Sequence, residues 1–597
     1  MNFRELATYF HKIENTPSRN VMTEILADLF KKLHADEIDK VLYLLQGRLA
    51  PTYVKLDFGL GEKLVIKAVT RALNIEHKHF MKQYRTHGDI GKTVEIFKKE
   101  ILSIGERDLT VIEVFNILEK GATASGNGSQ DTKLALLAEL IQTVDGLSAR
   151  YIVRIPTNTL RLGFSDMTIL DSFSWMLKGD KSLRPIIEKA YQIRPDLGYI
   201  GKAVKKNGVK QLENTTPEIF TPILMMRAQR LPTPQAIIEK IGGGIIEPKY
   251  DGFRLQVHYK KDSGEVKLYS RNLDDVTYMY PDIVEGVKKE VKAQEMIFEG
   301  EAIGFDPHSG NFLPFQETVQ RKRKYDIAEK ALEIPLKMFA FELLYLDGQE
   351  LIDKPFKERR DALEKHIRLS GDIFTDTLLL SPEKIAHDEK DLEKEFDDAV
   401  SKGLEGIMIK KVDGVYQPGA RGWNWIKYKR THSSKIDDTI DCLVMGYDVG
   451  KGKRTGFGIG AFLAGIYDAK EDMYRTVAKI GTGLSDEEWR EMKKRADKMT
   501  SSNCPALYDV DKQMAVDVWV KPEIVVEIQA DEITRSSVHT AGREMQATKS
   551  GKGTEVKTSG YALRFPRLKR FRDDKKPEEA TSLKELKQMF DSSFAKS

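Results

Sequence analysis

The stretch IIEPKYDGFRLQVHYKK (245–261) sets Lys249, Asp251, Gly252 and Arg254 close together. A lysine amine is a nucleophile only when neutral, and its ordinary pKa is about 10.4. Burial or nearby cations favour the neutral form. Arg254 is one such cation. A divalent metal on Asp251 would be another, because hard cations take oxygen ligands. Gly252 would let a phosphate approach the backbone. Together these residues could serve amine attack on a phosphate, but a turn before a strand with solvated ends uses the same residue types.

Motifs farther along the chain narrow the choice. EGEAIGF places Glu299 and Glu301 on one face of a strand, since side chains two apart point the same way. MFAFELLYLDG carries Phe341, which could stack on a nucleobase, although most of that strand reads as core. EGIMIKK sets Glu405 beside a glycine as a second candidate metal carboxylate. RGWNWIKYKR puts Lys427 and Lys429 on one strand face with Arg421 nearby, a pattern suited to phosphate contact or to an exposed edge strand. LRFPRLKRFRDDKK (563–576) holds seven Lys/Arg against two Asp, interrupted by Phe565, Pro566 and Phe571.

The elements that must position these residues fall into three regions. Residues 1 to about 215 read as helical: Phe3, Leu6, Phe10 and Ile13 recur at helical spacing, and Ser129 is an expected N-cap. SARYIVRIPTNTLRLGFSD (148–166) offers Arg150, Arg154 and Arg161 for a basic face. From about 220 to 430 short strands mix with helices. Phe253, Leu255, Val257 and Tyr259 alternate with polar residues, and Asp262-Ser263-Gly264 turns the chain back as a hairpin. Helices are expected over 355–369 and 389–402. The polar run KRTHSSKIDDT (429–439) reads as a hinge, and beyond it Gly-punctuated strands suggest a small β-barrel. A last helix is expected near 583–590.

Composition sets outer bounds. At 597 residues the chain exceeds one core. Lys+Arg number 95 against 91 Asp+Glu, a net charge of +4 that leaves partners to local patches. Two cysteines, Cys442 and Cys504, cannot build a disulfide framework or a four-cysteine zinc site. The polar N-terminus is unlike a signal peptide, and GFGIGAFLAGIY (456–467) is too short to span a bilayer. A cytoplasmic, monomeric, soluble protein with no membrane partner is expected.

Taken in order, KYDGFR, SRN, EGE, FELLYLDG, EGIMIK, WIKYK and RFPRLKRFRDDK resemble the motifs of covalent nucleotidyltransferases. Across nearly its whole length the chain resembles ATP-dependent DNA ligases of the archaeal and eukaryotic replicative type. TASGNGSQDTKLALLAELI and NTLRLGFSDMTILDSF are similar to that type's helical DNA-binding domain. The resemblance implies an all-α DNA-binding domain (1–215), an α+β adenylation domain (216–432) and a C-terminal OB-fold β-barrel (433–597) with a closing motif. It implies nick sealing with ATP and Mg²⁺, or Mn²⁺, on nicked duplex DNA. By that resemblance Lys249 attacks the α-phosphate and carries AMP, Glu247 reads the adenine, and Phe341 stacks on it. Arg254 and Arg271 lie near ribose and phosphates. Glu301 serves ribose and metal, and Asp251 and Glu405 serve metal. Arg421, Lys427 and Lys429 contact phosphates, and Arg564, Arg572 and Lys575 orient pyrophosphate. Arg150, Arg154 and Arg161 are expected on DNA phosphates, where replacing them would flatten the salt dependence of binding.

Two departures stand out. Relatives usually carry Asp in place of Glu342, for which only a mild effect is expected. A sliding clamp is a further partner of such relatives, but its usual pair of aromatics is not evident in FKKEILSIGERDLT (97–110). Two competing readings share the lysine motif. An RNA ligase or capping-type transferase is disfavoured by the long helical N-terminal region, and a DNA-binding scaffold with a dead site by the presence of nucleophile and carboxylates. NAD-dependent ligases are disfavoured by the missing zinc-binding cysteines.

Overall fold

In the computed structural model, the described residues are 1–101, 106–160, 162–323, 325–402, 404–429, 439–450, 452–547 and 554–595. They form two compact units, one of Met1–His77 with Val94–Arg430, the other of Lys78–Thr93 with Thr431–Ser597. The expected hinge residues 430–438 and Arg161 lie outside the described residues, as do 102–105 of the stretch considered for clamp contact.

Helices run from Phe3 to Glu213 with no named strand among the described residues. Apolar stripes at helical spacing are buried. In Phe3–Glu14 the stripe is Phe3, Leu6, Ala7, Phe10 and Ile13. Ser18 and Thr110 cap the helices that begin just after them, Thr110 reciprocally with Glu113. Ser129 instead opens its helix, and Gly128, in the left-handed region, takes the cap position.

Arg150 and Arg154 are not on a basic outer face. They lie on the helix Gly146–Arg154 and are buried, 6% and 2% exposed. Arg150 bonds Glu14 at 2.8 Å and Glu95 at 2.9 Å, and Arg154 bonds Glu14 at 3.0 Å. The Tyr151 hydroxyl also donates to Glu14, at 2.8 Å. Arginines at i and i+4 share one helix face, and here that face meets carboxylates of two other helices rather than solvent. Burial alone would push the Glu14 carboxyl up, but Arg154, Tyr151 and Arg150 hold it down at about 2.

From Arg227 to Lys429 two sheets form. The first has the order β1 (Arg227–Arg230), β11 (Arg421–Lys429), β10 (Gly406–Lys410), β2 (Gly244–Lys249), β9 (Lys384–Ala386). The second has the order β4 (Glu265–Ser270), β3 (Phe253–Lys260), β5 (Glu295–Gly304), β6 (Leu336–Leu346), β7 (Gln349–Glu350), with β8 (Leu378–Leu380) beside β6. Period-2 alternation gives each sheet an apolar face. Ile246, Ile407, Ile409 and Ile426 pack with Ile237 and Leu392 of the helices Pro234–Ile241 and Glu389–Ser401. Leu255, Val257, Phe298, Ala302, Met338 and Ala340 pack in a separate cluster. The opposite face of β3 is buried too: Gln256 and His258 are fully enclosed. Phe220 N–H donates to His258 Nδ1 at 3.0 Å, and burial pushes that imidazole down to about 3.

The C-terminal unit is strand-rich. Ile440–Asp448 pairs with Ala461–Asp468, Val518–Val520 and Val525–Gln529, and the last of these pairs with Arg567–Phe571. The unit's larger apolar cluster is closed by Trp489, Met492 and Ala496 of the helix Asp486–Lys498, and Leu443, Met445, Leu463, Tyr474 and Tyr508 form a second one. The terminal helix runs Leu583–Ala595. Among the described residues no helix is long and apolar enough to cross a membrane.

The Arg150–Glu14–Arg154 group makes a stability prediction. Replacing Arg154 removes a buried ion pair and a packed side chain while Glu14 keeps Arg150 and Tyr151, so Arg154→Ala should lower the stability of the helical region by about 2 kcal/mol at pH 7. Glu14's contribution is present above its ordinary pKa and is lost as pH falls through about 2. Denaturant midpoints followed by circular dichroism check this, and an unchanged midpoint contradicts it.

Candidate active site

Lys249 ends β2, and the ladder fixes its neighbours. Gly406 pairs with Lys249 on one side and Lys429 on the other. One row along the same face, Met408 stands between Glu247 and Lys427. In the next row Lys410 stands between Ile245 and Trp425. Two lysines thus flank a residue with no side chain. A Cβ on Gly406 would lie 2.4 Å from the Tyr428 carbonyl, and its φ of +146° suits only glycine. Glu405, just before it, forms ion pairs with both flanking lysines, one on each carboxylate oxygen.

The charges around this row are coupled. Burial would push the Glu405 carboxyl up, but Lys249 and Lys429 hold it below its ordinary value. Burial pushes the Lys427 amine down, and Lys429, Lys249 and Arg421 push it further down. A concentration of positive charge on one sheet face is suited to a polyphosphate.

Arg254 and Glu301 come from the second sheet as cross-strand partners. Arg254 donates to Glu299 at 2.6 Å and to the Met226 carbonyl at 2.7 Å. Tyr416 closes the loop, donating to Glu299 at 3.0 Å and accepting from Met226 N–H at 2.8 Å. The Arg254 guanidinium lies 5.6 Å from the Phe341 ring and 5.2 Å from Trp425. Gly252 N–H donates to Glu301 Oε1 at 3.1 Å. Gly252 has a reason of its own to be glycine, because a Cβ there would lie 2.4 Å from the Ala302 carbonyl. Close approach to β5 requires the glycine, whether or not a phosphate comes near. Burial pushes the Glu301 carboxyl up to about 7, with Asp251 adding to the rise and Lys249 and Arg254 opposing it.

Glu247 Oε1 and Arg254 Nε are among the buried polar atoms that meet no hydrogen-bond partner among the described residues. Such orphans are costly unless a ligand completes them. Glu247 pairs through its other oxygen with Lys410 at 2.8 Å. Phe341 is half-buried beside this pair, and Tyr250 stacks on Phe339 at 4.1 Å.

The structure therefore gathers Glu247, Lys249, Lys427 and Lys429 on one face, and ties Arg254 to Glu299 and Glu301 to Gly252. Arg271 is exposed, one residue past the end of β4, and Arg421 is exposed at the start of β11. In the C-terminal unit Arg572 and Lys575 both bind Asp441, at 3.0 and 2.7 Å, while Arg564 lies 3.5 Å from Glu532. Sequence reasoning missed Lys410, Trp425 and Arg359. Lys410 stands inside EGIMIKK, but only the strand register reveals which groups it faces. Arg359 and Glu342 form a fully buried pair with contacts of 2.7 and 2.8 Å. Glu342 thus has a structural part to play: this side chain anchors the helix Phe356–His366 to β6.

No group of three or more His, Cys, Asp or Glu that could hold a metal occurs among the described residues. Mg²⁺ commonly keeps waters and leans on one or two carboxylates and substrate phosphates. Asp251 and Glu301, close enough to couple electrically, fit that need; both Glu405 oxygens already hold lysines.

Comparison with known proteins places these features in a class, the ATP-dependent ligases. Family models match residues 2–174 (DNA ligase N terminus), 225–429 (ATP dependent DNA ligase domain) and 455–575 (ATP dependent DNA ligase C terminal region). The chain is 44% identical over 591 residues to a probable DNA ligase of Dictyoglomus thermophilum, covering 99% of this chain and 97% of that one. It is 40% identical to a DNA ligase of Hyperthermus butylicus, again with 99% and 97% covered. A solved structure titled Pmar-Lig_PreS3 shares the fold at TM-score 0.52 and 18% identity, covering 95% of this chain and 99% of that one. The chain belongs to the ATP-dependent DNA ligases, whose function is nick sealing.

Glu301 gives a second prediction. Its raised pKa means that folding costs stability as pH rises from about 4.5 through 7. Glu301→Gln should therefore stabilise the protein increasingly across that window, reaching on the order of 1–2 kcal/mol after allowing for partial exposure. Denaturation midpoints at pH 5, 6, 7 and 8 check this; a constant difference contradicts it.

Proposed function

We propose that the chain seals 5′-phosphate/3′-OH nicks in duplex DNA through a covalent lysyl–AMP on Lys249. The observation that carries the reading is the Lys249–Gly406–Lys429 row with Glu405 between the ammonium groups, beside two orphaned buried polar atoms. In the first step the neutral Lys249 amine attacks the α-phosphorus of ATP, the P–O bond to the β-phosphate breaks, and pyrophosphate leaves. Glu405 is the carboxylate in contact with that amine and is placed to receive its proton. Lys427 and Lys429 brace the transferring phosphate, and Arg421 and Arg271 flank it. Arg254 Nε and Glu301 face the sugar, and Phe341 and Glu247 face the base.

Mg²⁺, or Mn²⁺, held by Asp251 and Glu301 with the substrate phosphates, would neutralise developing charge on the phosphate oxygens. The nick's 5′-phosphate then attacks the lysyl–AMP phosphorus, releasing Lys249 and forming a DNA–adenylate. Finally the 3′-OH attacks the 5′-phosphorus and AMP leaves. Arg564, Arg572 and Lys575 serve the first step by orienting pyrophosphate. For Arg572 and Lys575 that requires exchange of their bonds to Asp441. We read the chain as three working domains, 1–215, 216–432 and 433–597, acting as a monomer, with DNA held mostly through phosphates and hence sensitively to salt. The three separate family matches support the division.

Incubation with α-labelled ATP and Mg²⁺ should label the protein in a form that survives denaturing electrophoresis. Lys249→Ala should abolish the label and nick sealing together. A labelled Lys249→Ala protein would refute the mechanism, and sealing of nicked RNA duplexes in preference to DNA would refute the substrate.

A further inference from the structure

Lys410 sits at the end of β10 and is 1% exposed, a rare place for an unpaired ammonium. It is well held. It donates to Glu247 Oε2 and to the Phe341 carbonyl, both at 2.8 Å. The rings of Phe341, Trp425 and Phe356 surround it with centroids 4.7, 4.7 and 4.6 Å away. Each contact fixes where the ammonium points, and through it where the Glu247 carboxylate points. One carboxylate oxygen is used, and the other, Oε1, is buried and meets no partner among the described residues. Building a strong ion pair and stopping at one oxygen makes sense if something from outside completes the second.

Resting on the reading that this face takes a nucleoside triphosphate, we propose that Lys410 is a positioning residue for base selection. It holds the Glu247 carboxyl turned so that Oε1, as a carboxylate oxygen, accepts from the exocyclic amine of a 6-aminopurine and rejects a 6-oxopurine. An ionised carboxylate only accepts hydrogen bonds. A 6-amino group donates one, whereas a 6-oxo group would set one acceptor against another in a buried site. A protonated carboxyl reverses the preference, because its O–H can donate to the oxo group. Base choice therefore follows the charge and orientation of Glu247, and the Lys410 contact favours the charged form and fixes the orientation.

Lys410 is the cation in direct contact with the Glu247 carboxyl. Burial pushes the Glu247 carboxyl up and the Lys410 amine down, and their mutual attraction opposes both. Arg360, Glu342 and Tyr250 also face Glu247. Arg360 is spent on the carbonyls of Ala340 and Ser381 and on Glu364. Glu342 is held by Arg359, and burial keeps the Tyr250 hydroxyl protonated. None of these replaces the Lys410 ammonium at Oε2.

The test is equilibrium binding of ATP and GTP to the full chain carrying Lys249→Ala, which cannot form the adduct, at pH 6, 7 and 8.5. ATP should bind about 100-fold more tightly than GTP, with a ratio flat in pH. Adding Lys410→Met should cut the ratio to under about 10-fold at pH 6, with recovery toward pH 8.5 as the unsupported Glu247 ionises. Adding Lys410→Arg instead should keep the ratio high. An unchanged ratio in the Lys410→Met protein, or an equal loss of affinity for both nucleotides, overturns the proposal while leaving the nucleotide reading intact. Should Lys410→Met fail to fold, Glu247→Gln decides. A carboxamide can donate or accept at any pH, so the ratio should drop and stay flat, and an unchanged ratio overturns the proposal. If the Lys249→Ala protein binds neither nucleotide, the reading on which the proposal rests falls and takes it along.

Discussion

The five-stranded sheet is organised by a like-charge problem: two lysines must stand on one face with a single residue between them. Lys249 and Lys429 repel, and a side chain at position 406 would drive into the neighbouring strand. Gly406 removes the steric part, and Glu405 removes the electrostatic part by giving each ammonium one oxygen. The arrangement leaves one net positive charge, plus that of Lys427 a row away, facing the same direction. It holds only while the strands keep register, so the apolar cluster on the reverse face, Ile246, Ile407, Ile409 and Ile426, works for the site as much as for stability.

The second sheet solves a different problem, keeping an arginine fixed without neutralising it completely. Arg254, Glu299, Tyr416 and the Met226 backbone form a closed ring of hydrogen bonds, yet Arg254 Nε stays outside that ring. A donor fixed in this way needs no rearrangement before it is used. Buried polar residues on this face, Gln256 and His258 among them, buttress the ring rather than reach the ligand face.

Much of this is legible in the residue pattern. The alternation in β3, the hairpin at 262–264, the helices near 356 and 389 and the lysine pair on β11 come from periodicity and turn chemistry, which act locally. Legibility fails where the answer depends on what a face meets. Arg150 and Arg154 carry the same i, i+4 spacing whether they face DNA phosphates or Glu14, and only packing distinguishes the two. Lys410 looks like an ordinary strand lysine until register sets it beside Glu247. Gly252 stands out in the sequence, yet the carbonyl it must clear, that of Ala302, belongs to a strand some fifty positions on. In each case the missing information is a long-range partner.

The Glu342–Arg359 pair carries a consequence for how such chains can diverge. Both side chains are sealed from water, and the arginine's reach matches the longer acid, with two bonds below 2.9 Å. An aspartate at position 342 would fall one methylene short and strand a buried guanidinium, which also donates to the carbonyls of Lys354 and Gly414. The two positions are therefore epistatic. In this structure the length of the acid at 342 is matched to the spacing between the helix Phe356–His366 and β6.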